Sequence, residues 1–242
     1  MLSDFPKTRP PLPQEIVDIY ATHYKKNRGG DTIASSLSQR MEAFMHRSVA
    51  ADTHNISCER STLEIGAGTL NQLQYETKIG PYDIVEPFVS LFEDSPNLSK
   101  IRNVFSDTNN IPRTNRYDRI TSIAAFEHIC NLPEVVARCA LMLNENGNLR
   151  VSIPSEGTLL WSLGWKLTTG LEFRLKYNLD YGLLMKHEHV NTAAQVELVL
   201  RYFFNDVAGR YFGIGRRLSL YQTYVCQSPR IDNCYEYLES LS

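Results

Sequence analysis

The sequence predicts a doubly wound α/β fold, a mainly parallel sheet with helices on both faces, and three observations carry that prediction. The first is Ser61-Thr-Leu-Glu-Ile-Gly-Ala-Gly-Thr-Leu-Asn-Gln-Leu73, an apolar run that ends in a carboxylate and then in two glycines one residue apart. Glycine at Gly66 and Gly68 lets backbone approach a ligand where a Cβ would collide, and the run from Thr69 to Tyr75 can open a helix. The second is the alternation, from residue 61 onward, of short β-like runs with helical ones. The third is an acid at the end of successive strand candidates, Glu64, Glu86 and Asp107.

Taken in order, the segment up to Pro13 is rich in proline and polar residues and reads as an arm that packs late or frays. Ile16, Ile19, Tyr20 and Tyr24 recur at helical spacing, as do Leu37, Met41, Phe44, Met45 and Val49, so two helices precede the glycine turn. The polar loop from Lys25 to Asp31 between them could close over a ligand or serve as a solvated connection. Strands are expected at Ser61–Ile65, Tyr82–Val85, Ile101–Phe105, Asp118–Ile123 and Asn148–Ile153.

The clearest helix starts at Asn131-Leu-Pro-Glu134, a capping-box-like sequence with proline in the first turn, and places Leu132, Val135, Val136, Cys139, Ala140 and Leu143 on one face. Turn residues from Asn144 to Gly147 end it. A second cap, Thr192-Ala-Ala-Gln195, starts a helix that turns Val196, Val199, Leu200, Phe203 and Phe204 toward a core. Two last strands, near Asp206–Tyr211 and Leu218–Cys226, are joined through Gly213-Ile-Gly215 as a hairpin.

A chain of 242 residues with 43% apolar content can bury one sizeable core. Its 25 basic and 27 acidic residues leave a net charge of −2 and no basic tract, which excludes nucleic acid as a main partner. No apolar run reaches the length of a membrane span, and the start of the chain lacks the charged-then-apolar order of a signal peptide. The five cysteines, Cys58, Cys130, Cys139, Cys226 and Cys234, show no metal-binding spacing and read as reduced thiols, so a soluble, cytoplasmic protein is expected.

Glu86 closes the second strand candidate 22 residues after Glu64, where an acid can accept both hydroxyls of a ribose. Asp107 follows the third strand, and the fourth runs into Ala124-Ala-Phe-Glu-His128, so four strand ends converge on one crevice. Singly, each feature has an ordinary structural reading: a strand-to-helix turn, a helix cap, a solvated loop acid. Together, in this order, they favour a ligand site. Glu64 before the glycines argues against a pyrophosphate and for a cationic or hydroxyl-rich ligand.

These residues resemble the class I S-adenosylmethionine-dependent methyltransferases, in particular the small-molecule, methyltransferase type 11/12-like branch. Leu63-Glu-Ile-Gly-Ala-Gly68 is similar to that family's first motif, Glu86 to its ribose-binding acid and Asp107 to its adenine-contacting acid. Phe126-Glu-His-Ile129, the Leu132–Leu143 helix and Leu141 to Pro154 are similar to the end of its fourth strand, the next helix and the turn into its fifth strand. The resemblance spans roughly residues 60 to 226, with Leu70 where the family's third glycine stands and Asn146-Gly147 in place of a proline–glycine turn.

The resemblance implies a Rossmann-like seven-stranded, mostly parallel sheet with an antiparallel last strand, N-terminal helices and a helical lid insert. It also implies S-adenosyl-L-methionine as cofactor, held by Glu64, Gly66, Ala67, Gly68, Glu86, Pro87, Asp107, Thr108, Ala125 and Phe126. The single domain 1–242 then divides into an arm and helices (1–58), a donor-binding core (59–154), a lid and specificity insert (155–190) and a C-terminal helix and hairpin (191–228).

The implied reaction is methyl transfer to a small-molecule acceptor, a hydroxyl of a sugar or another metabolite, with a lipid-linked acceptor also compatible. A hydroxyl needs a general base, and His128, His187 and His189 are the candidates. His187-Glu-His189 lacks a third ligand at metal spacing, so no metal site is expected. Trp161, Trp165, Phe173, Tyr177 and Tyr181 mark the insert as a helical lid or a small core. Two rivals remain: an NAD(P)-dependent oxidoreductase, which expects a third glycine where Asn71 stands, and a non-catalytic S-adenosylmethionine-binding module.

Overall fold

The strands of this sheet are mostly short and carry different chemistry on their two faces, and that difference decides what packs on each side. The computed structural model describes residues 2–17, 19, 33–54, 59–166 and 170–241. Strands β1 (Thr62–Ile65), β2 (Tyr82–Val85), β3 (Asn103–Phe105), β4 (Tyr117–Ile123), β5 (Leu143–Pro154), β6 (Phe204–Gly213) and β7 (Ser219–Pro229) form one sheet in the order β3-β2-β1-β4-β5-β7-β6. β7 runs antiparallel to both of its neighbours, and the other pairings are parallel. This is the expected doubly wound sheet, with the strand order reversing between β1 and β4.

Helices α1 (Ile33–Ala50), α2 (Leu132–Met142), α3 (Leu159–Trp165), α4 (Leu171–Tyr177), α5 (Tyr181–Glu188), α6 (Ala193–Phe203) and α7 (Ile231–Glu239) cover it. On one face Leu63, Ile65, Ile120, Leu149 and Val151 meet Val136, Cys139 and Ala140 of α2 and Val196, Val199, Leu200 and Phe203 of α6 in an apolar core. Helix α7, which the sequence reading lacked, adds buried Cys234 to the same core. It is the packing of Cys234, Tyr237 and Leu238 that fixes it.

The opposite face of β1, β4 and β5 is polar, and α1 packs on it. Met45 and Val49 of α1 lie against Ile123 and Tyr221, while Arg119 and Arg150 reach up from adjacent strands to the end of the helix. Arg119 Nη2 donates to Val49 O at 3.0 Å, and Arg150 donates to Val49 O at 2.8 Å and Ser48 O at 3.0 Å. The two guanidiniums thus satisfy carbonyls that a helix C-terminus leaves unpaired and place positive charge at its negative end. Arg119 also donates to Asp52 and to Glu76, each at 3.0 Å, inside a cluster that includes Glu64, Tyr82, His46 and Gln72.

Several expectations are corrected locally. The run after the glycines forms a 3₁₀ turn, Asn71–Gln74, in place of a helix, because Leu70 takes φ 63 and ψ 31 and breaks helical propagation. Leu70 thus occupies the left-handed conformation that the family's third glycine would favour, held there by complete burial of its side chain. Asn131 does not cap α2 with its side chain, which donates to Glu134 Oε2 at 2.7 Å. The capping box at Thr192 and Gln195 is formed. Asn144 to Gly147 belong to the irregular start of β5, where the register with β4 shifts between Tyr117 and Arg119.

The N-terminal arm is docked. Leu2 and Phe5 pack on the apolar core, and Lys7 Nζ donates to Val190 O and Gln195 Oε1, both at 2.7 Å. Tyr20, Tyr24, the Lys25 to Asp31 loop and Cys58 lie outside the described residues, as do the side chains of Leu37 and Met41. Among the described residues no helix is long and apolar enough to cross a membrane.

Replacing Arg119 by Met takes the guanidinium away from the buried Glu76 carboxylate, which Gln72 Nε2 also contacts. Denaturant unfolding should show a loss of about 3–5 kcal/mol; a loss below about 1 kcal/mol would show that the cluster does not depend on this pair.

Candidate active site

The crevice forms where β1 and β4 part, and its walls are set by backbone conformation. Gly66 continues β1 past Ile65, with its N–H donating to Val85 O at 2.8 Å, and Glu86 continues β2 with its N–H donating to Phe105 O at 2.9 Å. Gly66 has φ +72, and a Cβ placed there would fall 2.5 Å from the Cβ of Ala125, so no other residue fits without moving the β4 loop. Gly68 has φ +52 and open space where its Cβ would stand. Ala124, at φ 50, bends the chain out of β4 so that Ala125 to His128 pass over Gly66.

The acids expected at the strand ends have distinct environments. Glu86 is buried, and its two oxygens accept from Gly68 N at 2.8 Å and Phe88 N at 3.0 Å, which ties the end of β2 to the glycine turn. Asp107 is exposed and accepts from Asn109 N at 2.7 Å as the cap of a 3₁₀ turn. Beside it the buried Thr108 Oγ1 has no partner. Pro87 lies exposed after Glu86, Ala67 is buried beside Leu70, and Phe126 is buried with its carbonyl accepting from Asn191 Nδ2 at 2.9 Å.

Glu64 does not face the crevice as a charge. Its carboxyl is 2% exposed and accepts from Tyr82 Oη at 2.9 Å, within the polar cluster under α1. Burial pushes its pKa up to about 8, against the hydrogen bond from Tyr82 and the charges of His46 and Arg119, so at neutral pH the proton is mostly retained. The expectation that Glu64 selects a cationic ligand by its charge therefore finds no support in this geometry. The residue joins β1 to β2 beneath the turn.

Of the three histidines, two come together. His128 and His189 meet edge to face with ring centroids 4.9 Å apart, and the buried Glu127 places Oε1 3.9 Å from His128 Nε2. His128 Nδ1 lies 2.9 Å from Glu188 O, and His189 Nδ1 lies 2.9 Å from Glu156 Oε2. Both rings therefore have Nδ1 engaged and Nε2 left over. Burial lowers the His128 pKa, but the hydrogen bond to Glu188 and the charges of Glu127 and Glu188 outweigh it, and the net shift is upward. His187 is elsewhere, its Nδ1 2.6 Å from Pro10 O on the arm.

No motif in the sequence marks Glu156 and Glu188 as partners of the histidines. Arg9 and Asn191 were missed too. Arg9 donates to His128 O and His187 O, both at 2.8 Å, and Asn191 binds the carbonyls of Phe126 and Ile129, so arm and α6 entrance hold the loop between them. Trp161 of the insert reaches this group, donating to Glu156 Oε2 at 2.6 Å and lying over His189. Trp165, Phe173, Tyr177 and Tyr181 pack on one another as the insert's own core.

No protein-family model matches the chain, and no curated protein matches its sequence. Solved structures match its fold. The plantazolicin methyltransferase BamL, in complex with a triazolic desmethylPZN analog and SAH, gives a TM-score of 0.58 at 14% identity over 86% of this chain and 90% of that one. An O-methyltransferase family protein from Burkholderia thailandensis gives 0.55 at 14% identity, over 94% and 67%. A possible exported protein from Bordetella parapertussis gives 0.56 at 14% identity, over 79% and 68%. The chain has the fold of the class I S-adenosylmethionine-dependent methyltransferases.

The buried Glu64 makes stability depend on pH. Its folded-state pKa of about 8 lies above the ordinary 4.5, so its contribution is complete below about pH 4.5 and is lost as pH rises through 8. Glu64→Gln, which keeps an acceptor for Tyr82, should match the wild type in thermal unfolding at pH 5 and exceed it at pH 8.5. A constant difference between the two across that range would contradict the assignment.

Proposed function

We propose that this chain is an S-adenosylmethionine-dependent methyltransferase acting on an oxygen of a small molecule, a hydroxyl of a sugar or another metabolite. The observation that carries the reading is the buried Glu86 carboxylate at the end of β2, bonded to Gly68 N beside a turn with open space at the strand-order reversal. The residues present fit such a donor. Glu86 retains unused lone pairs for the two hydroxyls of a ribose, Gly66 and Gly68 leave room for close approach, and the orphaned Thr108 Oγ1 beside Asp107 offers a further polar contact. Pro87, Ala67, Ala125 and Phe126 would shape the remaining wall.

When bound, the donor supplies a methyl carbon on a positively charged sulfur, and transfer forms a carbon–oxygen bond, breaks the carbon–sulfur bond and frees the hydroxyl proton. The chain's task is to align the acceptor oxygen and receive that proton. Glu127, His128 and His189 are the polar group suited to the second part, and His187, tied to the arm, is not in it. Trp161 and Tyr221, whose rings are 5.5 Å apart, give the acceptor an aromatic wall next to His189. Residues 155–190 serve as the lid in this reading. The fold family's use of SAH in the BamL complex supports the donor assignment.

A dinucleotide oxidoreductase is disfavoured by the antiparallel β7 inserted between β5 and β6, since the dinucleotide fold continues β5 with a parallel strand. We also place the protein in the cytoplasm, in keeping with the free thiols of Cys130, Cys139, Cys226 and Cys234.

Calorimetric titration tests the donor assignment. Wild type should bind S-adenosylmethionine and not NAD, and Glu86→Ala should weaken the donor by about 100-fold while remaining folded, the value of two hydrogen bonds to a carboxylate. Unchanged affinity would remove Glu86 from the site. With donor affinity retained, His128→Ala and His189→Ala should each lower turnover by about 100-fold or more; full turnover in both would take the histidines out of the reaction.

A further inference from the structure

We infer that Glu127, His128 and His189 form a binding site for one divalent transition-metal ion of the zinc class. One ligand atom from each of the three lies within 4.8 Å of the others, although they come from two parts of the chain, the β4 loop and the end of α5. The sequence argument against a metal rested on His187-Glu-His189 lacking a third ligand. The fold discards His187 and supplies Glu127 and His128 instead. Two imidazoles and one carboxylate are a donor set that zinc accepts, with a fourth position left open for water or substrate.

Three further features point to an ion and not to an ordinary hydrogen-bonded cluster. Both imidazoles are oriented as metal ligands are, with Nδ1 against a backbone carbonyl or carboxylate and Nε2 available. The Glu127 carboxyl is 1% exposed, yet its Oε2 has no hydrogen-bond partner, an uncompensated buried acceptor that a cation would satisfy. Three carboxylates, Glu127, Glu156 and Glu188, lie beside the two rings, and Arg9 lies 3.8 Å from Glu188. Closing the ligand atoms to the spacing of a tetrahedral zinc site requires side-chain rotations that move them by about 1 Å each. A cavity of about 430 Å³ between the arm and α5, with Lys7 and Lys186 on its wall, has His189 in its lining.

What such an ion would do rests on the methyl-transfer reading, though the site itself does not. Placed on the acceptor side of the crevice, it would act as a Lewis acid on the hydroxyl, so that the imidazoles orient the ion and need not themselves serve as bases.

Zinc binding to chelator-stripped full-length protein, measured by competition with a chromophoric zinc chelator, tests this. Wild type should bind one equivalent and gain thermal stability. His189→Ala and Glu127→Gln should each weaken binding by about 100-fold, Glu156→Gln by about 10-fold, and His187→Ala within twofold of wild type. Should the ligand variants fail to fold, wild type loaded with cobalt(II) decides: visible bands of a four- or five-coordinate nitrogen–oxygen site support the inference, and a thiolate band or an octahedral spectrum overturns it. Absence of saturable zinc binding, or equal binding by the wild type and folded ligand variants, also overturns it. Donor binding by a protein that binds no zinc would sink the metal site alone, and zinc binding by a protein that binds no donor would sink the methyl-transfer reading alone.

Discussion

The approach of Gly66 to Ala125 is the constraint on which the site depends. Parallel strands that leave the sheet in opposite directions open a crevice between them, and how far it opens depends on how closely the two departing backbones can pass. Here a Cβ on Gly66 would lie 2.5 Å from that of Ala125, so the turn after β1 and the loop after β4 touch with nothing between them. That contact brings the two halves of the site together. Glu86 is tied to the β1 turn through Gly68, while Glu127 and His128 follow Ala125 along the β4 loop.

The polar face under α1 holds the same strands from behind. Burying charge is costly unless it is paired, and Arg119 and Arg150 are each used twice, against acids and against the carbonyls that end α1. One consequence is that Glu64, next to the glycine turn in sequence, is held by Tyr82 within this cluster and keeps its proton. A second is that the 3₁₀ segment after the turn is tied into the cluster, since Gln72 bonds His46 and Glu76. The donor side is thus built on a rigid sheet edge, while the acceptor side is assembled from a loop, the end of α5 and the N-terminal arm.

How much of this was legible in the sequence follows from the range of the interactions. The sheet was readable because apolar runs, caps and glycine turns are local signals, and the positions of Glu86 and Asp107 followed from strand length. The capping box at Thr192 formed as written for the same reason. The burial of Glu64 was not legible, because sequence order only places it before the glycines, whereas its face of the strand is decided by the alternation of side chains. The pairing of His189 with His128, the Nδ1 partners Glu156 and Glu188, and the reach of Arg9 across the loop join residues from 33 to 178 positions apart, and no local pattern encodes them. Helix α7 escaped because its burial comes from a few residues meeting an existing core.

The central claim is that this crevice carries a methyl group from a sulfonium donor to an oxygen. It is tested most directly by incubating the protein with S-adenosylmethionine labelled in its methyl group and a panel of sugars and small hydroxylated metabolites, then analysing the products by mass spectrometry. The account predicts S-adenosylhomocysteine and a labelled methyl ether in equal amounts with at least one acceptor class. Donor that binds but is never consumed across the panel, or label that appears on nitrogen or carbon and never on oxygen, would contradict it.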